Sequence, residues 1–221
     1  MRPALIASLA LLVAPISQIA PAAHAASLPP RDTCTRLPGY TQLRARLVTI
    51  VESRAKDDLL DLLSTDILNS FGGDGGKAEF VQTWHLDHDP GSSPVWNHLA
   101  AMLKLGCFAS DNGMSMPYFF EAPLPPERAD ADVFTLHLVT GTGVALRDAP
   151  SAQGKVLARL DWTLVDTIDE WSEDARWRQV RLGNGRTGFI RSDYLRSQVD
   201  YRAIFRRVDG QWQMTALVAG D

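Results

Sequence analysis

Residues 143–197 read GVALRDAPSAQGKVLARLDWTLVDTIDEWSEDARWRQVRLGNGRTGFIRSDYLRS. Short runs rich in β-forming residues alternate here with turn residues at short intervals, which is typical of a small all-β module. The strongest local signal is Gly183-Asn184-Gly185, because Asn-Gly supplies two residues with positive φ and closes a tight hairpin. Five strands are predicted: Val144–Arg147, Val156–Leu160, Leu164–Ile168, Trp177–Leu182 and Thr187–Arg191.

Four sequence pieces in this stretch carry a family resemblance. They are V-x-L-R-x-x-P-S, K-V-L-x-x-L, W-x-x-V-R-L-x-N-G-R-T-G-F-I and S-D-Y-L, in that order. The stretch resembles the bacterial SH3-like (SH3b) family, which implies a barrel of five or six strands. The family uses this barrel in exported proteins to bind cell-wall glycans or peptides, without chemistry of its own. The family's Asn-x-Arg is Ala145-Leu146-Arg147 here, so the Arg is kept and the Asn is lost.

Four side chains of the module are candidates for ligand binding: Trp171, Trp177, Tyr194 and Arg147. Aromatic rings supply contact area for a peptide or a sugar. Trp171 is the one large apolar residue in a polar loop, so it favours a contact with a ligand or with the first domain. For Trp177 the alternative is that the ring packs on a neighbouring segment.

The N-terminus has the layout of a secretory signal peptide. Arg2 precedes an apolar run from Ala4 to Val13, and Ala23-His24-Ala25 offers a cleavage point. We expect residues 1–25 to be removed and the mature protein to be periplasmic or secreted. It should not span the membrane, because Pro15 interrupts the apolar run. The net charge of −4 also argues against nucleic acid as a partner.

The first part of the chain has a helical pattern. Four helices are predicted: one that begins at Tyr40, one over Asp57–Leu63, one over Lys77–Leu86, and one that begins at Pro94 and stops at Gly106. One strand is predicted over Ile67–Phe71. The order of elements and the words D-L-L-S-T-D-I-L-N-S-F-G-G-D-G-G are loosely similar to nuclear transport factor 2-like domains. That similarity implies an α+β cone whose curved sheet encloses a pocket. Its further strands are expected in Met116–Glu121, Val133–Val139 and the tail.

We therefore predict an α+β fold with four parts after the signal peptide. They are an N-terminal α+β domain (34–121), a linker (122–132), an SH3-like barrel (133–197) and a C-terminal β-hairpin (200–221). The hairpin turns at Asp209-Gly210 and exceeds what an SH3-like barrel needs, so we expect it to return to the first domain's sheet. The alternative is that it extends the barrel. The overall layout resembles exported bacterial SH3 domain-containing proteins, a family without an assigned activity.

Cys34 and Cys107 are the two cysteines of the chain, and export would place them in an oxidising compartment. A disulfide is the expected state. The alternatives are two buried thiols or a reactive cysteine, with Cys107 paired to His98 or His137. Cys107 follows the glycine that ends a helix, however, where the helix dipole opposes a thiolate.

Two further segments contain residues used by metal and nucleotide sites. His85, Asp87 and His88 are weak metal candidates, because two histidines and a carboxylate follow a helix but no third distant ligand is identifiable. The glycine-rich run Phe71–Gly76 lacks the Lys-Ser/Thr pair of a phosphate loop, so it is interpreted as a structural turn.

The sequence thus predicts no catalytic residue, no metal and no cofactor. It indicates a non-catalytic envelope protein whose partner is peptidoglycan or another envelope protein. Two alternatives stay open: an enzyme or small-molecule-binding protein with a pocket in the first domain, and a purely structural role of the barrel.

Overall fold

The structure is a computed structural model that describes residues 26–170, 172 and 174–220. The predicted signal peptide, Met1 to Ala25, and Trp171 lie outside these residues. The described chain contains helices and two β-sheets, so the predicted α+β class is confirmed. None of the helices within the described ranges has the length and apolar character that crossing a membrane requires.

The α-helices among the described residues all belong to the first domain. They are α1 (Tyr40–Ser53), α2 (Lys56–Leu62), α3 (Gly76–Thr83) and α4 (Val95–Lys104). In α1, Leu43, Leu47 and Ile50 recur at spacings of three and four and are buried as one stripe. The third helix is shorter than predicted: it ends at Thr83, and His85 adopts a left-handed conformation that stops it.

These helices pack on a five-stranded sheet. Its strands in spatial order are β1 (Leu63–Leu68), β12 (Gln211–Val218), β11 (Arg202–Val208), β3 (Gly113–Met116) and β2 (Phe108–Ser110). The pair of β1 with β12 is parallel and the others are antiparallel. The first strand lies four residues earlier than predicted, because Leu63 and Ile67 both face the core, whereas Phe71 is 55% exposed.

The C-terminal hairpin lies in this sheet, as we predicted. Strand β12 pairs with β1, and β11 pairs with β3, so the last two strands fill its centre. Asp209 and Gly210, with φ of 50° and 79°, form the two-residue turn between them. Phe205 and Met214 from the hairpin are fully buried in the core with Phe80 from α3. The first domain is therefore built from both ends of the described chain.

The second sheet has seven strands and is inserted between β3 and β11. Its spatial order is β10 (Leu195–Ser197), β4 (Leu136–Val139), β7 (Leu164–Thr167), β8 (Trp177–Leu182), β9 (Thr187–Arg191), β5 (Val144–Arg147) and β6 (Val156–Leu160). The strands predicted in this region match closely. All described pairs are antiparallel and no ladder joins β6 to β10, so the order is open and the predicted closed barrel is not observed.

One apolar cluster nevertheless receives residues from all seven strands. Its fully or largely buried members are Val139, Val144, Leu146, Leu160, Val165, Val180, Leu182 and Ile190, and Leu195 packs against them. Because one face of every strand contributes to the same core, the sheet bends around its own interior.

The turn between β8 and β9 differs from the prediction. Gly185 has positive φ, but Asn184 does not, and the Gly185 amide donates to the Leu182 carbonyl at 2.8 Å. The connection is a three-residue loop with a left-handed glycine at its end, and it pairs Arg181 with Thr187. A two-residue Asn-Gly loop would shift every later pair by one residue.

A second apolar cluster joins the two parts. The outer faces of β4 and β7 contribute Leu136, Leu138 and Leu164, which pack against Tyr118 and Phe119 that follow β3. Val133–Val139 was expected in the first sheet, but its strand belongs to the second, and Met116 is followed by a short 3-10 turn. The predicted linker is also packed, since Arg128 is buried and its Nη2 contacts the Asp166 carboxylate at 2.5 Å.

The predicted disulfide is present between Cys34 and Cys107, whose Cα atoms lie 5.7 Å apart. Both residues are fully buried. The Thr33 amide donates to the Cys107 carbonyl, and the Cys107 amide donates to the Arg31 carbonyl, each at 2.9 Å. The bridge thus attaches the start of the described chain to the entry of β2.

Candidate functional site

Three of the four predicted ligand-binding residues line one groove on the second sheet. The groove encloses about 300 Å³, and Arg147, Trp177 and Tyr194 all belong to its wall. Arg159 and Arg191 line it as well. We call this feature the arginine groove, defined by Arg147, Arg159, Arg191, Trp177 and Tyr194.

The strand registers explain why these residues meet. In β5, Val144 and Leu146 face the core, so Ala145 and Arg147 face outward. Arg159 lies directly opposite Ala145 on β6, and Arg191 lies directly opposite Trp177 across the β8–β9 hairpin. Residues that are paired across a ladder project from the same face. The outer face of four strands therefore carries the arginines and the indole together.

Backbone carbonyls hold two of the arginine side chains in place. The Arg147 Nη1 donates to the Gly154 carbonyl at 2.6 Å, and the Arg159 Nη1 donates to the Gly143 carbonyl at 2.8 Å. A carbonyl restricts the guanidinium without neutralising its charge. Arg191 instead pairs with the Asp193 carboxylate at the edge of the groove, where both side chains are more than half exposed.

The groove is positive although the chain as a whole is acidic, with a net charge of −4. Its described lining contains three guanidinium groups and no carboxylate. Tyr194 is 43% exposed and Trp177 is half-buried, and both residues line the groove. Guanidinium groups bind carboxylates in a bidentate manner, and exposed rings bind planar or apolar groups. This arrangement suits an acidic ligand with a flat or apolar part.

Comparisons of the chain with protein-family models, with curated proteins and with solved structures found no match.

The predicted metal candidates do not form a cluster. The side chains of His85, Asp87 and His88 are exposed, and the only contact among them is the His88 Nε2 to Asp87 Oδ2 distance of 3.4 Å. His85 adopts a left-handed backbone conformation beyond the end of the helix at Thr83, so the three residues do not share a helix face. Among the described residues, the one group with metal-ligating atoms in proximity is Asp32, Cys34 and Cys107, and the disulfide occupies both sulfurs.

The remaining candidates for chemistry are also accounted for by structural contacts. Cys107 has no thiol to act as a nucleophile, because it is oxidised with Cys34. In the glycine-rich run, the Gly75 amide donates to the Glu79 carboxylate at 2.8 Å. An internal carboxylate therefore occupies the place an anion would take at the start of α3, which agrees with the interpretation as a structural turn.

The interior of the first domain is apolar and filled with large rings. Its buried members include Tyr40, Phe80, Trp84, Trp96 and Phe205. The Tyr40 hydroxyl donates to the Asp32 carboxylate at 2.5 Å, and burial raises the pKa of this phenol above its usual range. The His98 ring contacts the Trp84 and Tyr201 rings, with 5.4 and 4.5 Å between centroids, and burial lowers the pKa of His98. These contacts are those of packed side chains.

Two residues of the arginine groove were missed from the sequence. Arg159 and Arg191 become neighbours of the predicted residues only through the cross-strand pairs Ala145–Arg159 and Trp177–Arg191. The signal was available in principle, because the β8–β9 register follows from the loop length once the three-residue turn is recognised.

Proposed function

We propose that this protein is a non-catalytic binding protein of the bacterial cell envelope. In this proposal the arginine groove binds a carboxylate-bearing strand of the cell wall, with peptidoglycan as the ligand. The observation that supports it most directly is the groove itself, in which three arginines and two aromatic side chains share one lining.

The chemistry of peptidoglycan matches this lining. Its stem peptides carry free carboxylates along an extended, repeating polymer, and each guanidinium offers two parallel N–H donors to such a group. Trp177 and Tyr194 supply flat surfaces for peptide or sugar. A polymer also suits an open groove, because many weak contacts along one chain add up to useful avidity.

The SH3-like assignment of residues 133–197 is part of the same proposal. It is supported by the four sequence pieces and by five predicted strands that agree with the described ones. The periplasmic or secreted location is supported by the Cys34–Cys107 disulfide, since disulfides persist in oxidising compartments. The pattern of residues 1–25 supports it independently.

A second, structural role of the inserted sheet is favoured by a separate observation. Leu136, Leu138 and Leu164 bury its outer face against Tyr118 and Phe119. The inserted module therefore covers apolar surface next to the first domain, and this contribution adds to ligand binding without excluding it.

Co-sedimentation with purified peptidoglycan sacculi tests the proposal. We expect Arg147→Met and Trp177→Ala each to weaken binding about tenfold, the effect of losing one charge-assisted hydrogen bond or one stacking contact. The matched control is Arg46→Met, an exposed arginine on α1 far from the groove in sequence and sheet. Binding should also weaken as salt rises from 50 to 300 mM, as screening requires.

If the wild-type protein does not co-sediment with the sacculi, peptidoglycan is excluded as the ligand. Equal losses for Arg147→Met and Arg46→Met would instead assign the retention to non-specific charge. Trp171→Ala serves as a further variant, since the sequence predicts a contact from this ring.

A further inference from the structure

A second cavity of about 340 Å³ lies at one end of the seven-stranded sheet, apart from the arginine groove. The residues that matter for its chemistry are His137, Arg178, Ser192, Leu195, Ser197 and Asp200. We call it the polar cavity. None of these side chains was singled out as a ligand-binding residue by the sequence.

The strands create the polar cavity by changing from apolar to polar on their inward face. Val139, Val180 and Leu195 contribute to the apolar core of the sheet. Two residues away on the same strands, and hence on the same face, stand His137, Arg178 and Ser197. His137 and Ser197 are also directly paired between β4 and β10. Three strands therefore place polar residues on their inward face at one end of the apolar core.

Two of these polar side chains are buried. His137 is 8% exposed and Arg178 is 7% exposed. The Nδ1 of His137 lies 2.9 Å from the Thr135 carbonyl, which can only accept, so Nδ1 carries the proton and Nε2 is an acceptor. Burial also lowers the pKa of His137, which keeps this tautomer neutral near pH 7. The imidazole thus offers the cavity a fixed, uncharged acceptor.

The charges around the polar cavity cancel. The Arg178 Nε lies 3.0 Å from the Asp169 carboxylate, and the Arg196 Nη1 lies 2.9 Å from the Asp200 carboxylate. Arg178, Asp169 and Asp200 from these ion pairs are charged groups that influence the pKa of His137. The Ser192 and Ser197 hydroxyls also line the cavity. The lining therefore combines donors and acceptors with no net charge, and Leu195 adds an apolar surface.

We propose that the polar cavity binds a neutral, hydroxyl-rich ligand of the size of a single sugar ring. A ligand hydroxyl donates to His137 Nε2, and further hydroxyls exchange hydrogen bonds with the serines and with Asp200. The volume lies at the lower end of the range for ligand pockets, which favours one ring over an oligomer. The balanced ion pairs disfavour an anion, in contrast to the arginine groove. The two sites differ in charge and share no lining residue.

Titration with N-acetylglucosamine and with glucose, followed by NMR of the histidine ring protons, tests this inference. In the wild-type protein we expect saturable shifts of the His137 ring signals. His137→Phe retains an aromatic ring but removes Nε2, and its sugar binding, followed through the backbone amide signals of residues such as Ser197, should be at least about tenfold weaker. Ser197→Ala is the second variant and should weaken binding severalfold. The control is His88→Phe, whose native side chain is 91% exposed.

Three outcomes overturn the inference. The first is that neither sugar shifts the signals of the wild-type protein. The second is that Ser197→Ala and His137→Phe each bind sugar with the same affinity as the wild type. The third is that acetate binds more strongly than either sugar. Arg147→Met should leave sugar binding unchanged, so failure of the polar cavity and failure of the arginine groove are separable.

Discussion

Loss of the Cys34–Cys107 disulfide is expected to destabilise the first domain by about 4 kcal/mol. The bridge spans 73 residues of sequence, and the chain-entropy model assigns roughly 4.4 kcal/mol at 25 °C to a closed loop of that length. The folded state should change little, because the Thr33 and Cys107 amides keep their hydrogen bonds on either side of the bridge. The effect should therefore arise mainly in the unfolded chain.

Urea unfolding followed by tryptophan fluorescence measures this change, since Trp84 and Trp96 are buried in the first domain. With an m-value of roughly 2 to 3 kcal/mol/M, the midpoint should fall by about 1.5 to 2 M on reduction. The double variant Cys34→Ala/Cys107→Ala should reproduce the midpoint of the reduced wild type. A shift below about 0.3 M in both samples would show that the bridge does not restrict the unfolded chain, and would refute the reasoning.

Two further predictions concern stability. Gly106→Ala should destabilise by more than about 2 kcal/mol, because φ is +78° and the added Cβ would lie 2.1 Å from the Arg31 carbonyl oxygen; Gly72→Ala, with nothing within 4 Å, is the matched control in the same unfolding assay. The unfolding free energy should also fall as pH drops below 6.5, because burial lowers the pKa of His98 and His137 and the unfolded chain then binds more protons. Each histidine changes the unfolding free energy by at most about 1.4 kcal/mol per pH unit, and only between its pKa in the folded state and its pKa in the unfolded state. Above about pH 7.5 it makes no further change. His137→Phe should reduce this slope in midpoints measured from pH 5 to 8 while His88→Phe preserves it; identical slopes in all three proteins would contradict the assignment.

The strands of the inserted sheet were predictable because their signals are local. Short β-rich runs bounded by Gly, Asp and Pro determine each strand, and four of the five predicted strands have the described bounds. The Asp209-Gly210 turn was predictable for the same reason, since both residues take positive φ. Local signals of this kind need no knowledge of the rest of the chain.

The misplaced features depend on distant partners. The strand Leu63–Leu68 follows α2 without a loop, and only its pairing with Met214 and Ala216 distinguishes it from the end of a helix. Closure of the barrel was expected from a family resemblance, but it would require β6 to pair with β10, which begins 35 residues after β6 ends, and no such ladder is present in the described sheet. Such contacts are set by tertiary packing.

The candidate sites divide in the same way. Residue type alone suggested ligand binding for Arg147, Trp177 and Tyr194. Residue type alone also suggested metal binding for His85 and His88. Only the fold separates them, because it brings the first set to one groove and leaves the second exposed to solvent. The polar cavity could not be predicted because its residues come from strands β4, β8 and β10 and from the segments beside β10, which only the folded sheet brings together.

The central position of the last two strands has a consequence for biosynthesis. The ribosome makes Leu63–Leu68 well before its neighbour in the sheet, Gln211–Val218, because the whole inserted sheet lies between them in the sequence. A nascent chain lacks Phe205 and Met214 until the inserted sheet has been synthesised, and these side chains are fully buried in the core of the first domain. The inserted sheet, whose strands are contiguous in sequence, can fold before the C-terminal hairpin of the first domain has been synthesised.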